Sequence, residues 1–190
     1  MSKLLQIWKE ETTGYQLRLM VAHLLLAFFP VYSGSRIRPA VLRGLGFKIG
    51  EGTVIMGMPT LTGGRNLHQR LSIGRNCVVN IGVLFNMGER ITIQDGVAIG
   101  HQVMILTESH GIGPAERRAA ELTARPVAVG AGAWLGARSV LLPGISVGAG
   151  SVIASGAVVS RDIPENVLAA GVPARVVKEL ADRPETGSRG

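Results

Sequence analysis

The sequence has few cysteines and few aromatic residues. Cys77 is the single cysteine among 190 residues, and Phe, Trp and Tyr together make up 4% of the chain. One cysteine cannot form an intrachain disulfide, which excludes a disulfide framework and fits a reducing compartment. The low aromatic content excludes a core built mainly from large rings. Glycine is plentiful, at 26 residues, which favours a chain with many tight corners.

Acidic residues are also scarce. The chain has 13 Asp and Glu against 20 Lys and Arg, a formal net charge of +7. This excess favours anionic partners. No arginine-rich run interleaved with aromatic residues is present, so we expect no nucleic-acid binding. A phosphorylated cofactor is the better candidate.

No apolar run is long enough to cross a membrane. The most apolar stretch is 19–29, LMVAHLLLAFF, which His23 interrupts, whereas a membrane-spanning helix needs about 20 apolar residues. No small-residue cleavage site of the secretory type follows it. We therefore expect a cytoplasmic protein. The stretch is either a helix packed on the rest of the protein or on a neighbouring subunit, or an interfacial helix at the inner face of the membrane. Basic residues downstream favour the second interpretation: Arg36, Arg38, Arg43 and Lys48.

A six-residue repeat dominates the second half of the chain. Aliphatic residues recur at this spacing without a gap: Val129, Leu135, Leu141, Val147, Ile153 and Val159. A helix repeats its apolar face every 3.6 residues and a strand every two, so neither explains the period. Six residues form one flat face of a parallel β-solenoid with three faces per coil. The glycines that follow three of these residues allow corners without a Cβ clash.

The same period extends toward the N-terminus. It begins at Ile49 and continues through Ile55, Leu61, Leu67, Ile73, Val79 and Phe85, then slips by two to Ile93, Ile99 and Ile105. From Thr107 to Pro126 the aliphatic period is absent. We expect an irregular insertion here, and a long insertion in a compact repeat usually has a function.

These patterns predict three segments. Residues 1–48 are a helical segment, with one or two helices over 3–28 and a short one over 37–45. Residues 49–182 are the solenoid, which ends in a short strand (VLAAG) and a cap helix from Pro173 to about Ala181, because an open solenoid end would expose its core and unpaired strand edges. Residues 183–190 are a flexible tail.

The repeat resembles that of the hexapeptide-repeat acyltransferases, in which an aliphatic residue, a small residue and a small or aliphatic fifth residue recur. The resemblance implies an all-β, left-handed parallel β-helix that assembles as a homotrimer around a threefold axis. His110, followed by Glu116, Arg117, Arg118 and Ala119, is similar to the segment of the maltose, galactoside and colanic-acid-like O-acetyltransferases that carries the catalytic histidine.

That branch implies roles for several residues. His110 is the expected general base, because an imidazole can take a proton from an attacking hydroxyl near neutral pH. The alternative for His110 is a loop-capping histidine, and His101 is its competitor. Asn80 aligns with an asparagine that contacts the acceptor in that branch, and Asn86 is a second expected substrate contact because it lies near a family aspartate. The gapless match to that aspartate falls on Gly88, which leaves the identity of the acceptor open. The alternative for both asparagines is a structural ladder or turn residue. We add Glu108 and Arg117 as expected substrate contacts.

The resemblance also implies a coenzyme A site, with acetyl-CoA as co-substrate and no metal. Trp134 lies on the coil expected to follow the pantetheine arm, and basic residues near the C-terminus are expected at the phosphates. The expected contacts are Trp134, Gly136, Ala137, Ser155, Gly156, Ser160, Arg161, Arg175 and Lys178.

The leading hypothesis is therefore transfer of an acetyl group to a hydroxyl of a sugar or polysaccharide precursor. Two alternatives stay open. The acceptor could be an antibiotic or another small hydroxylated metabolite, or the chain could be a non-catalytic hexapeptide scaffold. A histidine-bound metal centre is disfavoured because His23, His68, His101 and His110 lack the spacing for one.

Overall fold

Two short helices precede the repeats in the computed structural model, which describes residues 16–181. These are α1 (Leu17–Leu26) and α2 (Ile37–Gly44). The predicted helix before residue 16 and the predicted tail 183–190 lie outside the described residues. Helix α1 buries Leu19, Ala22 and Leu26 on one side. Its other side is exposed.

The rest of the chain winds into a parallel β-solenoid with three faces, which confirms the predicted fold class. The first face contains β1 (Lys48–Ile49), β4 (Leu71–Ile73), β7 (Ile91–Ile93), β12 (Val127–Val129) and β15 (Ser146–Val147). The second contains β2 (Val54–Ile55), β5 (Val78–Val79), β8 (Ala98–Ile99), β13 (Trp134–Leu135), β16 (Val152–Ile153), β18 (Val167–Gly171) and β19 (Ala174–Glu179). The third contains β3 (Thr60–Thr62), β6 (Leu84–Asn86), β9 (Met104–Leu106), β14 (Val140–Leu141) and β17 (Val158–Val159).

The six-residue repeat places one aliphatic side chain inside each short strand. Leu135, Ile153 and Val159 are fully buried, and in the parallel register Leu135 lies between Ile99 and Ile153. Where a glycine directly follows such a residue, as Gly136 follows Leu135, it is needed because adjacent coils pack closely. A Cβ on Gly136 would lie 2.5 Å from the backbone nitrogen of Ser155 on the next coil. The turn at a corner also needs a residue with left-handed backbone, such as Gly156, a few positions after the buried aliphatic residue.

One predicted inward position does not lie on a solenoid face. Leu67 is buried, but it begins the four-residue helix α3 (Leu67–Arg70), which interrupts the coil between β3 and β4. Its agreement with the six-residue phase is therefore coincidental. The helix, and not a strand of the solenoid, buries the Leu67 side chain.

The segment predicted as an irregular insertion is an antiparallel hairpin. Strands β10 (Glu108–Ile112) and β11 (Ala119–Ala124) pair with each other, with His110 opposite Leu122. The pairing satisfies backbone groups that an irregular loop of this length would leave to solvent. It also makes the insertion a regular platform for the side chains it carries.

The predicted C-terminal cap helix is wrong. The segment forms β19, which pairs antiparallel with β18 and is the outermost strand of the second face. Gly171 turns the chain with a φ of +99°. Val176 and Val177 favour extended backbone because they are branched at Cβ. The open sheet edge thus gains a strand where we expected a helix.

Arg38 connects the helical segment to the first coil. Its guanidinium is buried and donates to the carbonyl oxygens of Phe29 (3.2 Å), Pro30 (2.9 Å) and Ile55 (3.3 Å). Burial lowers the pKa of this group from its ordinary value. Within residues 16–181, no helix combines the length and apolarity needed to cross a membrane.

Candidate active site

His110 lies in the middle of the hairpin, on a strand held by its partner. Its Nδ1 is 2.9 Å from the carbonyl oxygen of Ala120 on the facing strand. A carbonyl can only accept, so this contact places the proton on Nδ1 and leaves the lone pair on Nε2. The imidazole therefore has the tautomer that a general base requires, with its orientation fixed by the backbone.

A cavity of about 420 Å³ opens beside His110 on the third face. Its wall combines the imidazole, a carboxylate, an amide and two hydroxyls with three leucine side chains. The lining residues are Thr62, Leu84, Asn86, Leu106, Glu108, Ser109, His110 and Leu122. Such a mixture of polar groups and apolar surface suits a small hydroxylated molecule.

Asn86 organises the polar side of this cavity. Its Nδ2 donates to Oε2 of Glu108 at 2.5 Å and lies 3.4 Å from the hydroxyl of Thr62. Its Oδ1 accepts from the backbone N–H groups of Thr107 (3.3 Å) and Glu108 (3.1 Å). One amide side chain thus holds both the backbone and the carboxylate at the start of β10, two residues before His110.

The structure brings two of the four predicted substrate residues to His110. Asn86 and Glu108 line the cavity, whereas Asn80 and Arg117 do not. Asn80 lies at the corner that follows β5 and donates to the carbonyl oxygen of Ile99 at 3.1 Å. Arg117 lines a separate depression on the hairpin with Pro114, Ala120 and Glu121. His101, the competitor for the base, is exposed and lies 3.5 Å from the hydroxyl of Tyr32.

The predicted cofactor residues of one chain are spread over the second face, the segments that follow β13, β16 and β17, and the edge strand β19. Trp134 is 55% exposed on the second face. The corner after it stacks on the corner of the next coil, where the N–H of Gly156 donates to the carbonyl of Ala137 (2.9 Å). Gly136 and Ser155 belong to the same two corners. The remaining residues lie elsewhere. Ser160 and Arg161 follow β17, the terminal strand of the third face, and Arg175 and Lys178 lie on β19.

Sequence reasoning missed the leucine wall of the cavity. Leu84 precedes the inward-facing Phe85, and Leu106 follows the inward-facing Ile105, so both occupy outward positions of the repeat. An apolar residue at an outward position was the available signal. Leu122 comes from β11 and could be placed only once the hairpin was known.

Two other groups have shifted pKa values, and neither lines the cavity. Burial raises the pKa of the Cys77 thiol, whose sulfur lies 3.1 Å from the carbonyl oxygen of Gln94. Burial, and then the charge of Arg18, lower the pKa of His68. Within residues 16–181, no group of three or more His, Cys, Asp or Glu side chains is arranged to hold a metal ion.

Comparison with known proteins begins with the repeat itself. Residues 126–161 match the family described as bacterial transferase hexapeptide (six repeats). This match assigns the last full coils of the solenoid to a class of transferases.

The wider chain is similar to acetyltransferases. It is 33% identical over 146 residues to the galactoside O-acetyltransferase of Escherichia coli (strain K12), covering 77% of this chain and 70% of that one. A hexapeptide-repeat acetyltransferase of Vibrio cholerae O1 biovar eltor, solved in complex with acetyl coenzyme A, superposes with a TM-score of 0.67 at 30% identity, over 77% of this chain and 78% of that one. A maltose O-acetyltransferase from Clostridium difficile 630 gives a TM-score of 0.75 at 26% identity, over 95% and 90% of the two chains.

The chain therefore belongs to the hexapeptide-repeat acetyltransferase family, as its sequence predicted. Membership makes it an acyltransferase and removes the non-catalytic scaffold from consideration.

Proposed function

We propose that this acetyltransferase moves an acetyl group from acetyl-CoA to a hydroxyl of a sugar or polysaccharide precursor, with His110 as the general base. The observation that carries the proposal is the imidazole geometry. The Nδ1–H of His110 donates to the Ala120 carbonyl, which leaves Nε2 free to accept a proton. The His110 side chain also lines a cavity with groups that can bind hydroxyls. The relatives named above support the donor and the sugar-type acceptor.

The reaction follows from these parts. Nε2 of His110 takes the proton of the acceptor hydroxyl while its oxygen attacks the thioester carbonyl carbon. The C–S bond of the tetrahedral intermediate then breaks, and the imidazolium returns its proton to the leaving thiolate. The products are an acetyl ester and free coenzyme A, and the histidine is neutral again. No acyl-enzyme intermediate is formed, so the site needs no side-chain nucleophile.

Replacement of His110 by alanine tests the base. We expect turnover to fall about 10²- to 10⁴-fold, the usual contribution of a positioned base, with coenzyme A affinity within a few-fold of wild type. Thiol release from acetyl-CoA against a panel of sugars, nucleotide sugars and aminoglycosides is the measurement. The aminoglycosides cover the alternative acceptor class. His101→Ala is the matched control, and wild-type turnover in His110→Ala would exclude His110 as the base.

The donor site is proposed at the corners near Trp134 and Gly156, with the phosphates held by Arg161, Arg175 and Lys178. Guanidinium and ammonium groups form charge-assisted hydrogen bonds with phosphate. Removing any of the three cations should raise KM for acetyl-CoA more than it lowers kcat, and added salt should weaken donor binding. An unchanged KM in all three variants would place the phosphates elsewhere.

We also propose that the active molecule is a homotrimer. In one chain the proposed donor residues lie on the second face, in the segments that follow β13, β16 and β17, and on the edge strand β19, and none of them lines the cavity beside His110. The outer strand β19 exposes Val177 (59%), and Trp134 is also exposed. A neighbouring subunit packed against these surfaces would bring the separate parts into one groove.

Finally, we propose that the protein acts in the cytoplasm and touches the inner face of the membrane through α1. Its outward stripe is apolar and exposed: Leu17 (72%), Met20 (51%), Leu24 (71%) and the following Phe28 (88%). Residues 16–50 contain five Lys or Arg and no Asp or Glu. An apolar helix face in a locally basic segment suits an anionic lipid surface.

A further inference from the structure

Glu108 and His110 are two residues apart on β10, so their side chains leave the strand on the same side. Both line the cavity on the third face. Two residues of strand span about 6.6 Å, which is the length of a small sugar ring with its hydroxyls. A carboxylate therefore stands beside the base at a spacing that one acceptor molecule can bridge.

Gly88 leaves the space in which the Glu108 side chain lies. A Cβ at residue 88 would overlap Cγ, Cδ and Oε1 of Glu108. The φ of Gly88 lies outside the left-handed region, so the backbone at this position does not require glycine. The missing side chain at 88 therefore serves the placement of Glu108.

The Glu108 carboxylate has one side-chain partner within the described residues. Asn86 donates to Oε2 at 2.5 Å, and no Lys or Arg of residues 16–181 forms a salt bridge with it. An aspartate at 86 would place two carboxylates in contact, whereas the amide of Asn86 orients Glu108 by donating a hydrogen bond to it. An ionised carboxylate has about four acceptor sites, so Glu108 keeps lone pairs for a ligand that donates hydrogen bonds.

We propose that Glu108 is the specificity-determining residue for the acceptor: it accepts a hydrogen bond from a second hydroxyl, next to the one that His110 deprotonates. The acceptor class is a sugar with two neighbouring free hydroxyls. Leu84, Leu106 and Leu122 contact the C–H surface of its ring. This inference rests on the function proposed above and adds the requirement for a hydroxyl pair.

A double-mutant cycle between Glu108 and Gly88 tests the inference. Glu108→Ala removes the carboxylate, and Gly88→Ala displaces it. We expect each change to lower kcat/KM for a diol acceptor about 10- to 100-fold, the range for a hydrogen bond to a charged group. The double variant should resemble either single variant, because both changes remove the same contact. Coenzyme A affinity should stay unchanged.

Two controls make the outcomes separable. Gly57→Ala adds a Cβ at ordinary contact distance from Ile81 (3.7 Å) and should leave kcat/KM unchanged. A deoxy acceptor that lacks the second hydroxyl should be a poor substrate, with equal kcat/KM in wild type and Glu108→Ala.

Unchanged kcat/KM for the diol in Glu108→Ala, or an equal loss for the deoxy acceptor, would overturn the inference. Absence of thiol release by the wild type with every acceptor would instead overturn the proposed function. Should Gly88→Ala fail to fold, Glu108→Ala with the two acceptors decides the question alone.

Discussion

Two buried serines occupy the same position of their repeats but differ in hydrogen bonding. Ser139 is fully buried, and its hydroxyl has no hydrogen-bond partner within the described part of the chain. The Ser151 hydroxyl donates to the carbonyl oxygen of Pro164 (2.6 Å) and accepts from the N–H of Val167 (3.1 Å). The repeat requires a small residue at both positions, and only the second one uses the oxygen.

Alanine substitution should therefore have opposite effects at the two sites. We expect Ser139→Ala to raise the free energy of unfolding by about 1 kcal/mol, because it removes an unpaired buried hydroxyl. Ser151→Ala should lower it by about 1–3 kcal/mol, because it leaves a carbonyl and an N–H without partners. Urea denaturation measures both. A fall in the stability of Ser139→Ala as large as that of Ser151→Ala would contradict the assignment.

The lowered pKa of His68 predicts how the free energy of unfolding depends on pH. Burial and the charge of Arg18 lower its pKa in the folded state below the ordinary 6.5. Between the two values the unfolded chain binds more protons, so the free energy of unfolding falls as the pH drops below 6.5 and through the folded pKa. His68→Gln should reduce this fall in denaturation measured between pH 7.5 and 5. His23→Gln, an exposed position on α1, is the control, and an unchanged pH dependence in His68→Gln would exclude this role.

At the scale of elements, the hairpin β10–β11 and the helix α1 are the additions to the solenoid for which we propose functional roles. The hairpin turns a break in the repeat into a rigid support for His110, because the residue facing it and the carbonyl that orients it both come from β11. Helix α1 is apolar on both sides, yet only one side is covered by the described chain. A helix that is apolar on all sides is normally buried, which supports the proposal of a second contact for α1.

The proposed membrane contact of α1 can be measured with vesicles. The protein should sediment with phosphatidylglycerol vesicles and much less with phosphatidylcholine vesicles, and binding should weaken as salt is raised. Leu24→Gln combined with Phe28→Gln should abolish binding. Ile112→Gln, which removes an equally exposed apolar side chain (91%) from the hairpin, should bind like wild type. Binding that is the same in all variants would reject α1 as the contact, and a change of oligomeric state in the double variant would assign that face to a second copy of the chain.

At the scale of the whole molecule, the separation of the proposed donor residues from His110 predicts a shared active site. We expect a trimer of the 20.0 kDa chain in analytical ultracentrifugation. Closed rotational symmetry suits such a head-to-tail contact, which would otherwise extend into filaments. A monomer with full activity would exclude an active site shared between subunits.

Mixing two impaired variants, assayed at an acetyl-CoA concentration well below the KM of the cation variant, gives a finer test. His110→Ala lacks the base, and the double variant Arg175→Ala with Lys178→Ala lacks two donor contacts. If each groove combines His110 of one subunit with the cations of its neighbour, co-refolded equal mixtures should have about one intact groove in four. Each variant refolded alone is the control. A mixture whose activity equals the mean of the two variants refolded alone would indicate that both sets of residues come from one chain.

The sequence by itself determined the solenoid and singled out His110 as the candidate base. The six-residue period is local information repeated many times, and burial of one aliphatic residue per strand follows from it directly. His110 became the candidate because the period stops beside it and because the run from Glu116 to Ala119 resembles the family segment that follows the catalytic histidine. The family relationship was also evident from these residues.

Only the tertiary structure decided the rest, because it depends on segments that are distant in sequence. Strand β19 is extended since an open sheet edge lies beside it, and Leu67 is buried by a helix that merely coincides with the repeat. Asn86 meets Glu108 because two coils stack in register, while Asn80 lies at another corner. The reason for glycine at position 88 is visible only in the structure, where the Glu108 side chain fills the space that a Cβ would take. No pattern within either segment predicts that contact.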